Sequence, residues 1–357
     1  MQDNMPLHWL GDKAPKLSPG ATWGVPWPQG AVKKSNGFIL ESSGQAVNLQ
    51  SWPLAYWPDG SLKWTAHAIG ANKGLTDQLV LKTVATSAAS GMVKVKDEGD
   101  HYLIDNGRLQ CRVQKSGEHL IGRITKNGKP VATNGKLVLQ VQNAAEEATV
   151  HDHYVSQITA ITVEQSGPVR AVVKITGHHA AAARGNLIPF IVRLYFYEES
   201  EAIRILHTII YDGDEYKDFI SGVGIRFNVP LDAETYNRHI RFTAENEGVF
   251  AEAVKGLTGL RRDPGEAARN AQVAGKAAGD VSAIKDKLQY IPDFGDYTLF
   301  QSSSDAFEIQ KRTREGYGWI QSACGRRASG TAYVGTPDGG LAFGIRNCWQ
   351  SYPAQLD

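Results

Sequence analysis

The sequence has few cysteines, no excess of either charge and no long apolar run. Its three cysteines, Cys111, Cys324 and Cys348, lie far apart in 357 residues. They show neither metal-type spacing nor the density of a disulfide framework, so at most one pair could bridge. With 38 basic and 37 acidic residues, the chain lacks the basic excess or stripe that marks nucleic-acid binding. No run approaches the length of a transmembrane helix. The opening MQDNMPLHWLGDKAP lacks the basic-then-apolar order of a signal peptide. Neither nucleic acid nor membrane is therefore an expected partner. No G-x-S-x-G elbow, phosphate-binding glycine loop or dinucleotide fingerprint stands in a strand-turn-helix context, which leaves acyl-transfer, nucleotide and redox chemistry poorly supported. Heptads, short-period repeats and low-complexity tracts are absent as well.

What is present is turn-rich and aromatic-rich: 37 glycines, 8 tryptophans and 13 tyrosines, spread among many short apolar runs. That composition predicts antiparallel β structure. Pro26 and Pro28 in TWGVPWPQGAV exclude a central strand or helix there. Two short strands are expected around Ser42-Ser43-Gly44. Pro58-Asp59-Gly60 is a turn with a mechanism, since proline presets the first corner and glycine accepts positive φ. After it, Leu62, Trp64 and Ala66 alternate with Lys63, Thr65 and His67, the period of a strand. The first unit, residues 1–90, reads as a small β-barrel in which Trp23, Trp27, Trp52, Trp57 and Trp64 serve core and interdomain packing. Residues 91–357 read as a large antiparallel β-sandwich. Asp105-Asn106-Gly107 marks a hairpin, PFIVRLYFY and AIRILHTIIY look like central strands joined at Glu198-Glu199-Ser200, and Pro337-Asp338-Gly339-Gly340 joins two late strands. The Ala-, Lys- and Gly-rich stretch from about 251 to 288 interrupts the series as an excursion with one or two short helices.

Polar clusters at the ends of apolar runs are the candidates for chemistry. His207 sits within a strand that runs straight into Tyr211-Asp212-Gly213-Asp214-Glu215 and Asp218. These carboxylates suit a solvated turn; oxygen ligation of a divalent cation such as calcium is the alternative, though the full calcium-loop pattern is missing. No other cofactor is called for. Tyr236-Asn237-Arg238-His239 is sharper. Arginine clamps a carboxylate, histidine exchanges a proton near neutrality, tyrosine donates one and asparagine meets developing charge. These are the parts of β-elimination from a uronic acid: a neutralised carboxylate, a base for the C5 proton and an acid for the oxygen leaving C4. Arg326 and Arg327, preceded by Tyr317 and Trp319, offer a second arginine source beside aromatics suited to sugar rings. His178-His179 and His151-x-His153 lack a third metal ligand.

GVPWPQGAV, Leu49-Gln50 and AYWPDGSLKW resemble the N-terminal RIFT-barrel domain of the exo-rhamnogalacturonan lyase family. PFIVRLYFY, IRILHTIIYDGDEYKDFISGVGIRFNVPL and YNRHIRF, then GRRASG and NCWQSYPAQL, resemble that family's central β-sandwich. The resemblance implies cleavage of pectin rhamnogalacturonan by β-elimination from a chain end, a polysaccharide or oligosaccharide partner, and a periplasmic or secreted location. It also implies a C-terminal α/α toroid in the full-length protein, absent from these 357 residues. On this reading His207 or His239 is the proton acceptor and Tyr211 or Tyr236 the donor. Arg238, Arg326 or Arg327 neutralises the carboxylate with help from Asn237, and Trp319 meets the sugar. A non-catalytic carbohydrate-binding module is the second expectation. Glycoside hydrolysis through Asp212, Asp214 or Glu215 is the third.

Overall fold

Alternating apolar residues between glycine-, proline- and asparagine-bearing turns fold into strands throughout. The computed structural model describes residues 4–72, 74–181, 185–246, 248–257 and 263–357, and its chain divides into two compact units, 1–228 and 229–357. No helix among the described residues is long and apolar enough to cross a membrane.

The first unit opens with β1 (Asn4–His8), β2 (Ala21–Pro26), β3 (Gly37–Ser42), β4 (Gln45–Val47), β5 (Gln50–Tyr56), β6 (Leu62–Ile69) and β7 (Gln78–Val84). They pair antiparallel in two small sheets, β1-β7-β3-β4 and β2-β6-β5, around Val25, Trp27, Phe38, Leu40, Leu62, Ile69 and Leu81. The expected alternation in β6 fails. Trp64 is 40% exposed, whereas Thr65 and His67 are buried. The reason is a polar chain inside the barrel. The Trp27 indole N–H donates to Thr65 Oγ1 at 2.8 Å, Thr65 meets His67 Nε2 at 2.7 Å, and His67 Nδ1 meets Ser51 Oγ at 2.8 Å. The Thr65 and Ser51 hydroxyls can each donate or accept, so the chain is satisfied with His67 in either neutral tautomer.

Ten strands follow in one antiparallel sheet: β8 (Lys94–Asp97), β9 (His101–Asp105), β10 (Leu109–Gln114), β11 (Ile121–Lys126), β12 (Lys129–Gln142), β13 (His151–Ser166), β14 (Arg170–Ala181), β15 (Gly185–Tyr197), β16 (Ile203–Ile209) and β17 (Phe219–Asn228). The order runs from β16 step by step to β8, with β17 on β12. The sheet folds over on itself. Asn106, in the β9–β10 turn, lies five inter-strand steps from β15, roughly 24 Å in a flat sheet. Its amide nevertheless donates to the carbonyls of Tyr197 and Ser200 at 2.8 Å each. β15 is strongly buried, as its sequence suggests, through Ile188, Phe190, Val192, Leu194 and Phe196. β16 was expected to be central but is the edge strand, with Leu206 and Ile209 exposed. Apolar content alone does not distinguish a central strand from an edge strand with an uncovered apolar face.

The barrel is keyed to this sheet by polar contacts. The buried Glu198 carboxylate accepts from Asn48 Nδ2 at 3.1 Å and from the Met92 N–H at 3.0 Å. Gln50 Oε1 accepts the N–H groups of Val169 and Arg170. Arg170 lies over Trp52 at 5.0 Å and Tyr195 at 5.1 Å. A Cβ on Gly70 would stand 2.8 Å from Glu198 Cβ, so only glycine permits this approach.

The second unit holds two four-stranded sheets. One is β19-β18-β23-β24, from β18 (His239–Thr243), β19 (Val249–Ala253), β23 (Thr331–Thr336) and β24 (Gly339–Gly344). The other is β22-β21-β20-β25, from β20 (Asp296–Ser303), β21 (Ala306–Arg312), β22 (Ile320–Gly325) and β25 (Ala354–Leu356). Phe242, Leu299, Phe307 and Ile309 fill the core. Between β19 and β20 comes the expected excursion, with helix α1 (Glu266–Val273) and a 3-10 helix at Ser282–Tyr290; residues 258–262 of it lie outside the described residues. The chain is mostly β, as the sequence predicts.

Candidate functional site

The corner where β14, β15 and β16 meet carries the most constrained polar geometry of the first unit. The β14–β15 register shifts between Gly177 and His179, and the His179 ring is fully buried. Ile188, a β-branched residue, stands at φ +48°, a conformation such side chains strongly disfavour. It is gripped on both sides. His179 Nδ1–H donates to its carbonyl at 2.7 Å, and its own N–H donates to Asp212 Oδ1 at 2.7 Å. The bond to the carbonyl fixes the proton of neutral His179 on Nδ1 and leaves Nε2 as a bare lone pair.

His207, one strand further on opposite Val192, turns its ring to the same face. Its centroid lies 6.2 Å from that of His179, with Phe190 against both at 5.4 and 6.4 Å. The Nε2 atoms of both histidines are buried and find no hydrogen-bond partner among the described residues. Burial lowers both pKa values, His207 to about 4, with the two rings' mutual repulsion a smaller contribution for His207. Two neutral imidazoles thus share this face, and four residues past His207 stands Tyr211, which is 46% exposed. The Tyr211 hydroxyl donates to the Asp218 carbonyl at 3.0 Å. Desolvation first, then the charges of Asp218, Asp214 and Glu215, raise its pKa, so the phenol keeps its proton at neutral pH.

The turn carboxylates mostly serve the turn. Asp214 accepts the Tyr216 N–H and pairs with Lys217, and Asp218 accepts the Asp214 N–H. No cluster of three or more His, Cys, Asp or Glu suited to a metal ion occurs among the described residues.

Tyr236, Asn237, Arg238 and His239 belong to the second unit, where they anchor the helical excursion. Tyr236 packs against the cluster of Leu257, Ala278 and Ile284, and its carbonyl receives the Gln272 amide at 2.7 Å. Asn237 Oδ1 accepts the Ala278 N–H at 2.9 Å, and Arg238 Nε donates to the Ala233 carbonyl at 2.7 Å. His239 opens β18, is 5% exposed, and has an unpartnered Nε2 among the described residues. Burial, then the charge of Arg241, lowers its pKa.

Trp319 does not sit with Arg326 and Arg327. They flank opposite ends of the six-residue β22, about 20 Å apart at strand rise. Trp319 stacks with Arg312 at 4.5 Å, and Asp296 Oδ2 accepts from Arg312 Nε at 2.6 Å. Arg314 stacks likewise on Tyr317 at 4.5 Å. At the other end, the Glu245 carboxylate accepts the N–H groups of Arg326 and Arg327, which lowers its pKa. Arg327 lies 4.4 Å over Trp349, and Arg326 is 3.8 Å from Asp305.

Sequence reading missed His179 as the partner of His207, Arg312 as the partner of Trp319, and Trp349. Counting register gives no signal for the first, because His179 pairs with Leu187 and His207 with Val192, five residues further along β15. The Arg312–Trp319 pair follows from the β21–β22 hairpin, in which Lys311 faces Ile320.

Comparison with known proteins matches this architecture. Residues 3–84 fit the PcRGLX-like N-terminal RIFT barrel domain, and residues 93–357 fit the PcRGLX-like protein central beta sandwich domain. The uncharacterized protein YetA of Bacillus subtilis (strain 168) is 33% identical over 363 residues. That alignment covers 98% of this chain and 42% of YetA, so the chain spans less than half the length of this relative. With both domain models matched in order along the chain, the protein belongs to the PcRGLX-like family, the exo-rhamnogalacturonan lyase-like group that its motifs resemble.

Proposed function

We propose that the chain is the β-rich part of a polysaccharide lyase that cleaves uronic-acid-containing rhamnogalacturonan by β-elimination. The observation that carries this reading is the ordered match of both domains to the PcRGLX-like family. Local chemistry supports it. On this reading the neutral His207 imidazole is the acceptor of the C5 proton. Tyr211 keeps its phenolic proton for the oxygen leaving C4, and a C4–C5 double bond results. His239 with Tyr236 is the corresponding pair in the second unit. Within that second unit, Arg238, Arg326 or Arg327 neutralises the uronate carboxylate with Asn237, and Trp319 offers a face to a sugar ring. The substrate class goes with a periplasmic or secreted location, and an α/α toroid is the proposed partner domain.

A second reading is a non-catalytic carbohydrate-binding module. It is favoured by the low pKa of His207, which makes a weak base, and by the stacks of exposed Trp319 on Arg312 and exposed Tyr317 on Arg314. The test is incubation of this chain, and of the full gene product, with rhamnogalacturonan oligosaccharides, followed by the ultraviolet absorbance of the unsaturated uronate. Unsaturated ends that disappear in His207→Ala or His239→Ala support the lyase. Binding with no product from either protein supports the module. Saturated reducing ends overturn both in favour of hydrolysis.

A further inference from the structure

β10 and β11 present a second polar surface, on the outer face of the ten-stranded sheet. Leu109, Cys111 and Val113 point inward and are buried, while Gln110 and Arg112 are exposed and Gln114 is half-buried. Arg112 stands directly opposite Arg123 in the β10–β11 ladder. Like charges so placed repel each other. Among the described residues neither guanidinium takes part in a salt bridge; Glu98 and Asp100 feel the charge of Arg112 but are bonded to Lys96 and His101.

Two hollows, of about 320 and 240 Å³, lie on either side and share this arginine pair as a common wall. Gln114, His119 and Asn134 help line the larger, and Gln110 and Thr125 the smaller. The β10–β11 register shifts at this point, with Arg112 opposite Arg123 and Val113 opposite Ile121, so Gly122 is the extra residue of a β-bulge. A Cβ on Gly122 would stand 2.4 Å from Gln114 Nε2. The bulge and the missing side chain let the Gln114 amide lie across the strand at the rim of the hollow. Glu118, the acid in the larger hollow, is within 3.3 Å of both His119 and Lys136, and the lysine offsets its charge.

We propose that this face is a binding subsite for a carboxylate-bearing saccharide. The paired guanidiniums of Arg112 and Arg123 take the planar carboxylate. The amides of Gln114 and Asn134 take ring hydroxyls, and neighbouring sugar units occupy the two hollows. The anion site rests on the arginine pair and the hollows; the saccharide class rests on the proposed function above.

Calorimetric titration of the whole chain with unesterified oligogalacturonate, its methyl-esterified counterpart and inorganic sulfate tests this. Oligogalacturonate should bind, and Arg112→Gln and Arg123→Gln should each weaken binding roughly tenfold. The methyl ester should bind far less well, and sulfate should compete only in large excess. Melting temperatures of both variants should stay at or above that of the parent, since like-charge repulsion is relieved. Absence of binding, unchanged affinity in the double variant, or equal affinity for the ester overturns the proposal. So does full displacement by equimolar sulfate, which marks a simple-anion site. Arginine-dependent binding in a protein that forms no unsaturated product leaves this inference standing while the lyase reading fails.

Discussion

His179 and His207, on strands separated by β15, hold their rings 6.2 Å apart, and each buries an Nε2 atom with no hydrogen-bond partner among the described residues. The pair joins a strained backbone to a reachable surface. His179 is tied to Ile188, and His207 lies four residues before the exposed Tyr211.

That burial makes the first unit acid-sensitive. His67 and His207 have pKa values lowered from 6.5 to about 4, mainly by desolvation, and that of His179 is lowered for the same reason. Each folded pKa lies below its unfolded value, so the unfolded chain takes up protons first as pH falls. The contribution of these residues is fully present above about pH 6.5 and is lost as pH falls through 6.5 toward 4. For the fully buried His67 the limit is on the order of 3 kcal/mol. The melting temperature should drop across that window, and His67→Gln should make the drop shallower. Superimposable curves for parent and variant would show that His67 is not held neutral.

Asp212 is expected to act through Ile188. Asp212→Ala leaves the Ile188 N–H without an acceptor beside a residue at φ +48°. The cost should be about 1–3 kcal/mol, with Asp212→Asn well under half of it because the side-chain oxygen is kept. Urea unfolding of the two variants checks this. An alanine variant as stable as the parent would mean that Asp212 does not hold this corner.

Local signals made much of the fold legible. Pro58-Asp59-Gly60, Asp105-Asn106-Gly107 and Pro337-Asp338-Gly339 carry turn chemistry in the residues themselves, and the helical excursion shows in its composition. What was hidden depends on partners far along the chain. Thr65 and His67 face inward because Trp27 donates to Thr65 and Ser51 hydrogen-bonds His67 there. Asn106 is a turn residue, yet it is 1% exposed because the folded sheet brings Tyr197 and Ser200 to it. At the candidate site, His207, Tyr211 and the 236–239 cluster stood out by residue type. The engagement of Asn237 with Ala278 and the separation of Trp319 from Arg326 follow from register and packing, which no local pattern carries.

Thiol chemistry should separate the cysteines. Cys111 is fully buried and its pKa is pushed far up by desolvation; burial also raises that of Cys348. Cys324 is exposed. Because the thiolate is the reactive species, an alkylating reagent should modify Cys324 first in the native protein and the other two only on unfolding. Peptide mapping by mass spectrometry reads the order, and early modification of Cys111 would contradict the folded-over sheet that encloses it.

Lys255 should govern the excursion that Tyr236 and Asn237 anchor. It is 8% exposed, and its ammonium donates to the carbonyls of Leu288 at 2.9 Å and Ile291 at 3.0 Å, with Asp293 at 3.3 Å. These contacts cap the 3-10 helix at Ser282–Tyr290 and tie it to the end of β19. Lys255→Met preserves most of the buried stem but leaves both carbonyls unpaired, a loss of about 1–3 kcal/mol. Because few strands secure this segment, the loss should be local. Limited proteolysis should cut between residues 276 and 293 faster in the variant than in the parent, while the β20–β21 core, built on Leu299, Phe307 and Ile309, stays protected. Equal cleavage rates would show that the apolar cluster of Leu257, Val281 and Ile284 holds the excursion without the lysine.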